Sequence, residues 1–509
     1  MDVDIKIDRS SVECSWGSLK DHPKCPHGPT LSFGKRIDGE LREFYSCSAC
    51  RDRKLCNFYL EKGKVLSKIQ QSFWQEQIKN YLNPYSSHVK FFIKFNELLS
   101  IKNDNRGYCY TCERLLNISE KNKHENHEIK WSLTDEQMNN PTMILKPLSN
   151  PKKEAQYMFS KKSTIDIVNM IIEAGGKHVL CIGAPRIYEY INKNYNDKIS
   201  SLLLDFDPRY HNFFGPLNFC WYNLFNNHFF NEESKDVFKD YLTQDGGKNI
   251  FLVCDPPFGG RLEYISQTIK TISDLHKSWN KLDDETSLKI FFIFPYFMEP
   301  AMKMKANPPG IDGGLKELKM ADYKVDYDNH PLFINNDKGR KFGSPVRIFT
   351  NLPLNLIKLS EQDGYKYCKR CDKWSSQENK HCKKCKSCTS KDGRRYRHCN
   401  ICNRCVKPTW KHCKKCERCL LETHTCGVKP RITGECFKCK STDHIEKDCP
   451  VGKPSKKRKN NDTIESPKIK KIKKNTNDVS DKQKKNKTKK IVNMKTTIVK
   501  KTKKNIKKL

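Results

Sequence analysis

The cysteines of this chain constrain its fold more than any other feature. There are 25 of them in 509 residues, and most stand in Cys-x2-Cys pairs with histidines at the spacing of metal ligands. The chain opens on the acidic stretch Met1-Asp2-Val3-Asp4 with no apolar run after it, so we expect neither a signal peptide nor a disulfide framework. Zinc is the favoured interpretation. Structural zinc supplies roughly 10–16 kcal/mol of folding free energy in small peptides, so these segments are predicted to unfold without it.

Two zinc sites are predicted in the N-terminal part of the chain. Residues 20–60 hold the first, and Cys50 is an alternative to the candidate ligand Cys47 that spacing does not decide. Residues 61–140 are predicted to form a helical segment that carries the second, whose two histidines are closer together than the usual three to five intervening residues. This short gap favours a structural clip over a finger that reads a groove. The candidate ligands are Cys25, His27, Cys47 and Cys56 in the first site and Cys109, Cys112, His124 and His127 in the second.

Residues 365–428 contain the densest run of candidate ligands. The sequence His-Cys-x2-Cys-x2-Cys begins at His381, His398 and His412, after one Cys-x2-Cys pair and before a final His-x-Cys. The resulting 16 candidates suffice for at most four tetrahedral zinc sites, and spacing leaves their pairing open. They are Cys368, Cys371, His381, Cys382, Cys385, Cys388, His398, Cys399, Cys402, Cys405, His412, Cys413, Cys416, Cys419, His424 and Cys426.

This segment resembles the cysteine-rich domain of protein palmitoyltransferases. The Asp-His-His-Cys active sequence of that family is absent, however, and no apolar run approaches the roughly 18 residues that a membrane-spanning helix requires. The sequence therefore argues against palmitoyl transfer and predicts no membrane partner.

Residues 434–451 have the complete spacing of a retroviral-type zinc knuckle, Cys-x2-Cys-x4-His-x4-Cys. Phe437 lies between the first two cysteines, where such knuckles present an aromatic ring to an unpaired base. The predicted partner is RNA. The predicted ligands are Cys436, Cys439, His444 and Cys449.

The sequence Asp255-Pro256-Pro257-Phe258 follows the apolar run Asn249–Cys254, which is predicted to be a buried strand. In a parallel α/β sheet, the carboxyl end of a strand is where ligands bind. Proline has no N–H, so the two prolines fix the backbone and leave carbonyl oxygens free to accept hydrogen bonds. An enzyme that methylates the amino group of adenine must hold this group in line with the methyl donor, and hydrogen-bond acceptors of this kind can do so. The motif predicts that Asp255 and the Pro256 carbonyl hold this group and that Phe258 stacks on the base.

Three further strands are predicted around this one. Residues 177–182 lead into a small-residue loop at Gly183, in the place where a Rossmann-like fold holds its nucleotide cofactor. Residues 201–205 end in Asp205, which is placed to accept a pair of ribose hydroxyls. In chain order along the sheet, the strand before Asp255 is then expected to be the fourth, and residues 289–294 the fifth. The glycine pattern of a dinucleotide site is absent.

Residues 150–355 resemble the class I S-adenosylmethionine-dependent N6-adenine methyltransferases, whose signature is Asn or Asp, two prolines and an aromatic residue. Members of this family also carry a Gln-Tyr pair ahead of the first helix, which Gln156-Tyr157 matches here. The resemblance implies catalytic roles for Asp255, Pro256, Pro257 and Phe258. It implies that the cofactor pocket is lined by Gln156, Tyr157, Met158, Phe159, Gly183, Arg186, Asp205, Asn223 and Leu224.

The order of modules resembles the zinc-knuckle ribosomal-RNA adenine-N6 methyltransferases, from about Cys25 to Cys449. The first zinc site is similar to a GRF-type finger, a module tied to single-stranded nucleic acids. The expected fold is a Rossmann-like α/β methyltransferase domain, flanked by the GRF-type and C2H2-type sites and followed by the cysteine-rich zinc domain and the knuckle. The expected cofactors are S-adenosylmethionine and structural Zn²⁺. Large-subunit rRNA as the substrate is implied by this resemblance alone.

The charge of the chain indicates a polyanionic partner. Its formal net charge is +37, and residues 451–509 contribute 23 Lys and Arg against 4 Asp and Glu. We expect residues 452–509 to be a disordered Lys-rich tail, because they cannot bury enough apolar surface. Its Lys and Arg runs favour a nuclear and nucleolar location, with a cytoplasmic pool left open. The remaining +18 is expected to be spread over the folded part.

Two other functions are compatible with the sequence. One is a non-catalytic zinc-finger scaffold that binds RNA and retains only a degenerate methyltransferase fold. The other is an enzyme that methylates DNA adenine or a glutamine side chain, because related motifs serve those substrates. Binding of S-adenosylmethionine separates the first from an enzyme, and the RNA-type knuckle and the Lys-rich tail argue against DNA and against a glutamine side chain as the substrate.

Overall fold

The computed structural model describes residues 12–15, 17–37, 40–50, 53–148, 156–283, 286–305, 314–330 and 343–426. Every described residue belongs to one compact unit. The zinc knuckle predicted at Cys436, Cys439, His444 and Cys449 and the Lys-rich tail lie outside the described residues. No helix in the described ranges is long and apolar enough to cross a membrane.

The N-terminal finger consists of short antiparallel strands. β4 pairs with β1 and β5, β5 pairs with β6, and β2 and β3 form a separate hairpin. Phe58 is buried with the thiols of this finger, and Trp74 packs against the same small core. The strands are β1 (Glu13–Cys14), β2 (Lys24–Cys25), β3 (Gly28–Pro29), β4 (Leu31–Ile37), β5 (Glu40–Ser46) and β6 (Tyr59–Glu61).

Three helices and a three-stranded sheet follow. The first helix begins at a capping box in which Ser67 and Gln70 satisfy each other's backbone N–H groups. The elements are α1 (Lys68–Leu82), α2 (His88–Leu99), β7 (Arg106–Cys109), β8 (Arg114–Asn117), β9 (Ile129–Trp131) and α3 (Asp135–Asn139). This region is joined to the next domain by Asn212, whose side chain accepts from Leu115 N at 3.3 Å and donates to Glu113 O at 3.0 Å.

The central domain is an α/β fold around one eight-stranded sheet, as predicted. The strand order is β13-β12-β11-β10-β14-β15-β17-β16, with β10, β11, β12, β14 and β15 parallel. The strand before Asp255 is therefore the fourth of the parallel set in chain order. The elements are α4 (Lys161–Glu173), β10 (His178–Ile182), α5 (Pro185–Asn194), β11 (Ser200–Asp205), β12 (Phe219–Asn223), β13 (His228–Phe229), α6 (Glu233–Leu242), β14 (Ile250–Cys254), α7 (Leu262–Asn280), β15 (Lys289–Pro295), α8 (Glu299–Lys305), β16 (Lys319–Ala321) and β17 (Val346–Thr350).

Both faces of this sheet are buried. Along β14, Phe251 and Val253 pack into one hydrophobic core, and Leu252 and Cys254 pack into the other. Side chains alternate between the faces of a strand, so a strand that is covered on both faces needs an uninterrupted apolar sequence. This requirement explains why the parallel strands were recognisable as continuous apolar runs.

The cysteine-rich segment, residues 365–426, forms four two-stranded hairpins. It is attached to the sheet domain through Asp322, whose carboxylate accepts from Ser376 N at 3.0 Å and from Asn379 Nδ2 at 2.9 Å. The strands are β18 (Tyr365–Cys368), β19 (Lys373–Ser376), β20 (His381–Cys382), β21 (Ser387–Cys388), β22 (Arg397–Cys399), β23 (Arg404–Val406), β24 (Trp410–Cys413) and β25 (Arg418–Leu421).

Candidate active site and zinc clusters

The predicted catalytic and cofactor residues meet at the carboxyl edge of the sheet. In β10, Ile182 is in register with Leu204 of β11 on one side and with Cys254 of β14 on the other. Asp205 ends β11, and Gly183 and Asp255 come directly after β10 and β14. Three parallel strands thus deliver their following residues to one place, as the sequence predicted.

Gly183 has a steric reason to be glycine. Its φ is +64°, and a Cβ atom there would lie 2.9 Å from the carbonyl oxygen of Asp255. The two segments are also joined by a 3.0 Å hydrogen bond from Asp255 N to Ile182 O. A side chain at position 183 would push the Asp-Pro-Pro-Phe backbone away from the end of β10.

A cavity of about 220 Å³ opens at this edge. Ten of the predicted site residues line it, together with Leu148, Phe206, Asp207 and Tyr222. The ten are Gln156, Tyr157, Gly183, Asp205, Asn223, Leu224, Asp255, Pro256, Pro257 and Phe258.

Asp205, the predicted ribose acceptor, is buried at the end of β11. Burial, reinforced by the charge of Asp207, raises the pKa of its carboxyl to about 7. Its Oδ1 accepts a hydrogen bond from Asp207 N at 2.9 Å, which fixes the carboxyl at the end of the strand. Asp207 itself forms a buried ion pair with Arg209 at 2.6 Å and is a fixed neighbour rather than a second free acid.

Phe258 belongs to a group of aromatic rings at the cavity. Its ring centroid lies 6.3 Å from that of Tyr157, 5.7 Å from Phe294 and 6.1 Å from Tyr327. Phe294 meets Phe258 edge-on, at an interplanar angle of 89°. These contacts hold the Phe258 ring beside Asp255 on the cavity wall.

Three predicted cofactor residues stand behind the cavity instead of lining it. Met158 and Phe159 are buried, and the Arg186 guanidinium donates to the Phe159 carbonyl and to the Asp328 carboxylate. Arg186 therefore ties the start of the domain to the segment around Asp328. Contact of these three side chains with the cofactor stays a prediction.

The first two zinc sites are assembled as predicted. Each brings its four ligand atoms within 4.8 Å of one another: Cys25, His27, Cys47 and Cys56 in the finger, and Cys109, Cys112, His124 and His127 in the clip. The structure groups Cys47 with the finger ligands. Cys50, the alternative ligand, lies close by: its Sγ is 3.6 Å from Nε2 of His27, and its backbone N donates to Cys47 Sγ at 3.3 Å.

The cysteine-rich segment pairs its ligands in an interleaved pattern that spacing left open. In each His-Cys-x2-Cys-x2-Cys repeat, the histidine and the last cysteine complete the preceding site, and the middle Cys-x2-Cys begins the next one. Three clusters have all ligand atoms within 4.8 Å: Cys368, Cys371, His381 and Cys388; Cys382, Cys385, His398 and Cys405; and Cys399, Cys402, His412 and Cys419. In the fourth, Cys413 is 3.4 Å from Cys426, and His424 is 3.7 Å from Cys416 and 3.5 Å from Cys426.

These sites share a backbone turn that suits a metal. The residue after the second cysteine of the pair is left-handed in five of them: Glu113, Asp372, Lys386, Asn403 and Glu417, with φ between 44° and 55°. Left-handed backbone is uncommon for glutamate and lysine. Three cysteines and one histidine in each of the four clusters of the cysteine-rich segment match the tetrahedral thiolate and imidazole donors that Zn²⁺ takes.

Comparisons with known proteins decide the family. A family profile described as probable N6-adenine methyltransferase matches residues 150–332. The rRNA N(6)-adenosine-methyltransferase ZCCHC4 of Xenopus tropicalis is 41% identical over 455 residues, which cover 88% of this chain and 90% of the relative. The mouse protein of that name is 43% identical, covering 84% of this chain and 82% of the relative, and the human one is 39% identical, covering 70% and 69%. This chain belongs to that family.

Membership of the rRNA N6-adenosine methyltransferases assigns the cofactors. S-adenosylmethionine is the methyl donor of this class, and the cavity bounded by Asp205 and Asp255 fits it. The Cys and His clusters found among the described residues fit structural zinc.

Two further parts of the cavity wall come from segments far from the predicted motifs. One is Tyr327, which belongs to no recognisable motif and reaches the cavity through an isolated bridge with Phe159. The other is the finger residues Ala49 and Cys50. No local pattern announces either contact, because both depend on segments that are distant in sequence.

The finger is fixed at the cavity by two asparagine side chains. Asn223 Nδ2 donates to His27 O at 2.9 Å and to Ser48 Oγ at 2.8 Å. Asn226 Nδ2 donates to Pro29 O at 2.8 Å. Asn223, predicted as a cofactor residue, therefore holds the first zinc finger against the pocket as well as lining it.

Proposed function

We propose that this protein transfers a methyl group from S-adenosylmethionine to N6 of an adenosine in large-subunit ribosomal RNA. The observation that carries the proposal is the cavity in which Asp255, Pro256 and Phe258 stand beside Asp205. The relatives are named for N6-adenosine methylation of rRNA, which supports the same reaction here. A scaffold without catalysis has no need of this complete set of side chains, so that alternative is disfavoured.

The amino nitrogen of adenine is a poor nucleophile because its lone pair is delocalised into the ring. S-adenosylmethionine, when bound, supplies an electrophilic methyl group. The Asp255 carboxylate and the Pro256 carbonyl accept hydrogen bonds from the amino group, which holds N6 in line and returns electron density to it. These acceptors act where positive charge develops on nitrogen, in a site shielded from water.

Phe258 compensates for removing the base from its stack. Extruding a nucleotide costs a few kcal/mol of stacking and pairing. One aromatic platform returns roughly 1–3 kcal/mol. The contacts of Phe258 with Tyr157 and Tyr327 fix its ring before the base arrives.

The charge distribution supports RNA as the macromolecule. Outside the tail the net charge is not spread evenly, contrary to expectation: residues 365–426 hold 18 Lys and Arg against 5 Asp and Glu, so +13 of the +18 lies there. Four zinc ions with three thiolates each leave one negative charge per site, and a large positive excess remains. Such a surface binds phosphates and releases their counterions.

We also propose that the enzyme works in the nucleus and nucleolus, where large-subunit rRNA is made. The Lys and Arg runs of residues 452–509 support this location. A fluorescent fusion should concentrate in nucleoli, and deletion of residues 452–509 should disperse it. A fusion that stays outside the nucleus would contradict the location without affecting the proposed chemistry.

The substrate is tested by methyl transfer from labelled S-adenosylmethionine to purified large-subunit rRNA, small-subunit rRNA, mRNA and DNA, followed by nucleoside analysis. We expect N6-methyladenosine in large-subunit rRNA alone. Equal labelling of small-subunit rRNA or mRNA would overturn the large-subunit assignment, and labelled DNA would overturn RNA as the substrate. Cofactor binding without any product would favour the scaffold.

A further inference from the structure

Tyr327 makes a direct contact with the predicted catalytic acid. Its hydroxyl donates a 2.8 Å hydrogen bond to Oδ1 of Asp255. Among the described residues, it is the one hydrogen-bond donor to this side chain. When the carboxylate is ionised it only accepts hydrogen bonds, and the tyrosine hydroxyl is then the donor. The contact engages Oδ1 and leaves Oδ2 for another donor.

The position of the Tyr327 hydroxyl is fixed by its surroundings. Only 3% of the residue is exposed, and its ring stacks on that of Phe159 at 5.1 Å and 26°. Backbone hydrogen bonds hold its neighbours: Ser160 N donates to Asp326 O at 2.8 Å, and Asp328 N donates to Met158 O at 2.9 Å. Because the ring is stacked and the backbone on both sides is hydrogen-bonded, the Tyr327 hydroxyl is held in a fixed position.

We propose that Tyr327 is a positioning residue for methyl transfer: its hydroxyl orients the Asp255 carboxylate so that Oδ2 accepts the hydrogen bond from the adenosine amino group. The inference rests on the proposed function. It adds a residue outside the Asp-Pro-Pro-Phe sequence to the catalytic arrangement.

The electrostatics of the site give this hydrogen bond a second effect. Burial raises the pKa of the Asp255 carboxyl well above its usual range, the Tyr327 hydrogen bond lowers it, and the Asp205 charge raises it. The other titratable neighbours are the Cys254 thiol and Asp326. Burial raises the pKa of Cys254, and the charge of Asp326 raises the pKa of Tyr327. The tyrosine is therefore the one neighbour among these that favours the ionised carboxylate.

The test is Tyr327→Phe in the full chain, which removes the hydroxyl and keeps the ring. We expect kcat to fall roughly 10- to 100-fold, the range for one hydrogen bond to a charged group. We expect the acidic limb of the kcat–pH profile to move to higher pH, because the pKa of Asp255 rises when the donor is lost. The Kd for S-adenosylmethionine and the KM for RNA should stay within about twofold of wild type, since neither ligand loses a contact.

Tyr323→Phe is the matched control. Tyr323 is also buried and donates to a carboxylate, Asp166 Oδ2, at 2.7 Å, but it does not line the cavity. This variant should keep the wild-type kcat and pH profile. A Tyr327→Phe enzyme with wild-type kcat and an unshifted acidic limb would overturn the inference, as would an equal fall in kcat for both variants.

Asp255→Asn supplies a second test that does not depend on the stability of Tyr327→Phe. The amide does not titrate, so the acidic limb should disappear while Tyr327 is in place. Adding Tyr327→Phe to this variant should lower kcat by a smaller factor than in wild type, because the two side chains act together. Independent, multiplying effects would contradict the proposal. A wild-type protein without any methyl transfer would instead refute the proposed function.

Discussion

Residues 1–364 carry a net charge of only +4, whereas residues 365–426 carry +13. The first region buries two hydrophobic cores on the two faces of one sheet. The second consists of four short hairpins around interleaved Cys and His clusters. Apolar burial shapes the pocket that holds reacting groups. Metal ligands replace a core where the chain must remain basic, because a surface crowded with lysine and arginine offers few side chains to bury. This contrast supports separate regions for the two proposed tasks, methyl transfer in the sheet domain and RNA binding in the basic segment.

The largest effect that separates the two regions is expected from Asp255→Ala. Loss of this acceptor should lower methyl transfer by roughly 10²–10³. RNA affinity should remain near wild type, because the basic segment is unchanged. Filter binding and turnover measured side by side check this expectation, and substantial residual turnover would remove Asp255 from the catalytic role.

The opposite result, weaker RNA binding with an unchanged chemical step, is expected when Lys383, Lys384 and Lys386 are all replaced by alanine. RNA affinity should fall on the order of tenfold, and the slope of log affinity against log salt should become shallower by roughly 2–3, as for three lost phosphate contacts. At saturating RNA, kcat should be unchanged. The control replaces Lys239 and Lys248, which are exposed on the central domain, and an equal loss in that control would deny the segment a special role.

Substitution of a zinc ligand should affect the two regions differently. Cys402→Ser should remove one zinc ion from the cysteine-rich segment, because Cys402 belongs to one of its four clusters. RNA binding should weaken several-fold, with S-adenosylmethionine affinity unchanged. Cys56→Ser should weaken S-adenosylmethionine binding, because the finger that contains Cys56 forms part of the cavity wall through Ala49 and Cys50. Metal analysis and calorimetry distinguish the two variants. Equal loss of cofactor binding in both would mean that the regions are not independent.

The smallest effect concerns pH. The pKa of the Asp205 carboxyl is raised to about 7 by burial and by Asp207. As pH falls through 7 this group gains a proton and loses one acceptor for a ribose hydroxyl, so S-adenosylmethionine affinity should fall a few-fold between pH 8 and pH 6. Asp205→Asn should bind weakly with no such dependence. A flat profile in the wild type would exclude Asp205 as the titrating group.

The sequence was most informative where function imposes a local pattern. Continuous apolar runs predicted four of the five parallel strands, because both faces of the sheet are covered, and β12 was not among them. The sequence Asp255–Phe258 and the acid Asp205 predicted which strand ends form the cavity. Ligand spacing predicted the finger and the clip, because zinc ligands are close in sequence.

The sequence could not show contacts made by distant segments. Tyr327 reaches Asp255 from 72 positions away, and Ala49 reaches the cavity from another module. The interleaved clusters were equally hidden, since the equal gaps in each repeat allow several pairings. Arg186 was assigned to the cofactor by analogy, yet in the structure its guanidinium bonds to Phe159 and Asp328.

The most direct test measures methyl transfer and RNA binding on the same preparations of wild type, Asp255→Ala and the Lys383, Lys384 and Lys386 variant, with large-subunit rRNA as substrate. We expect Asp255→Ala to bind RNA without forming N6-methyladenosine. We expect the lysine variant to form N6-methyladenosine at the wild-type rate once RNA is saturating. If both variants lost RNA binding and methyl transfer together, the proposal that separate regions carry out these two tasks would be contradicted.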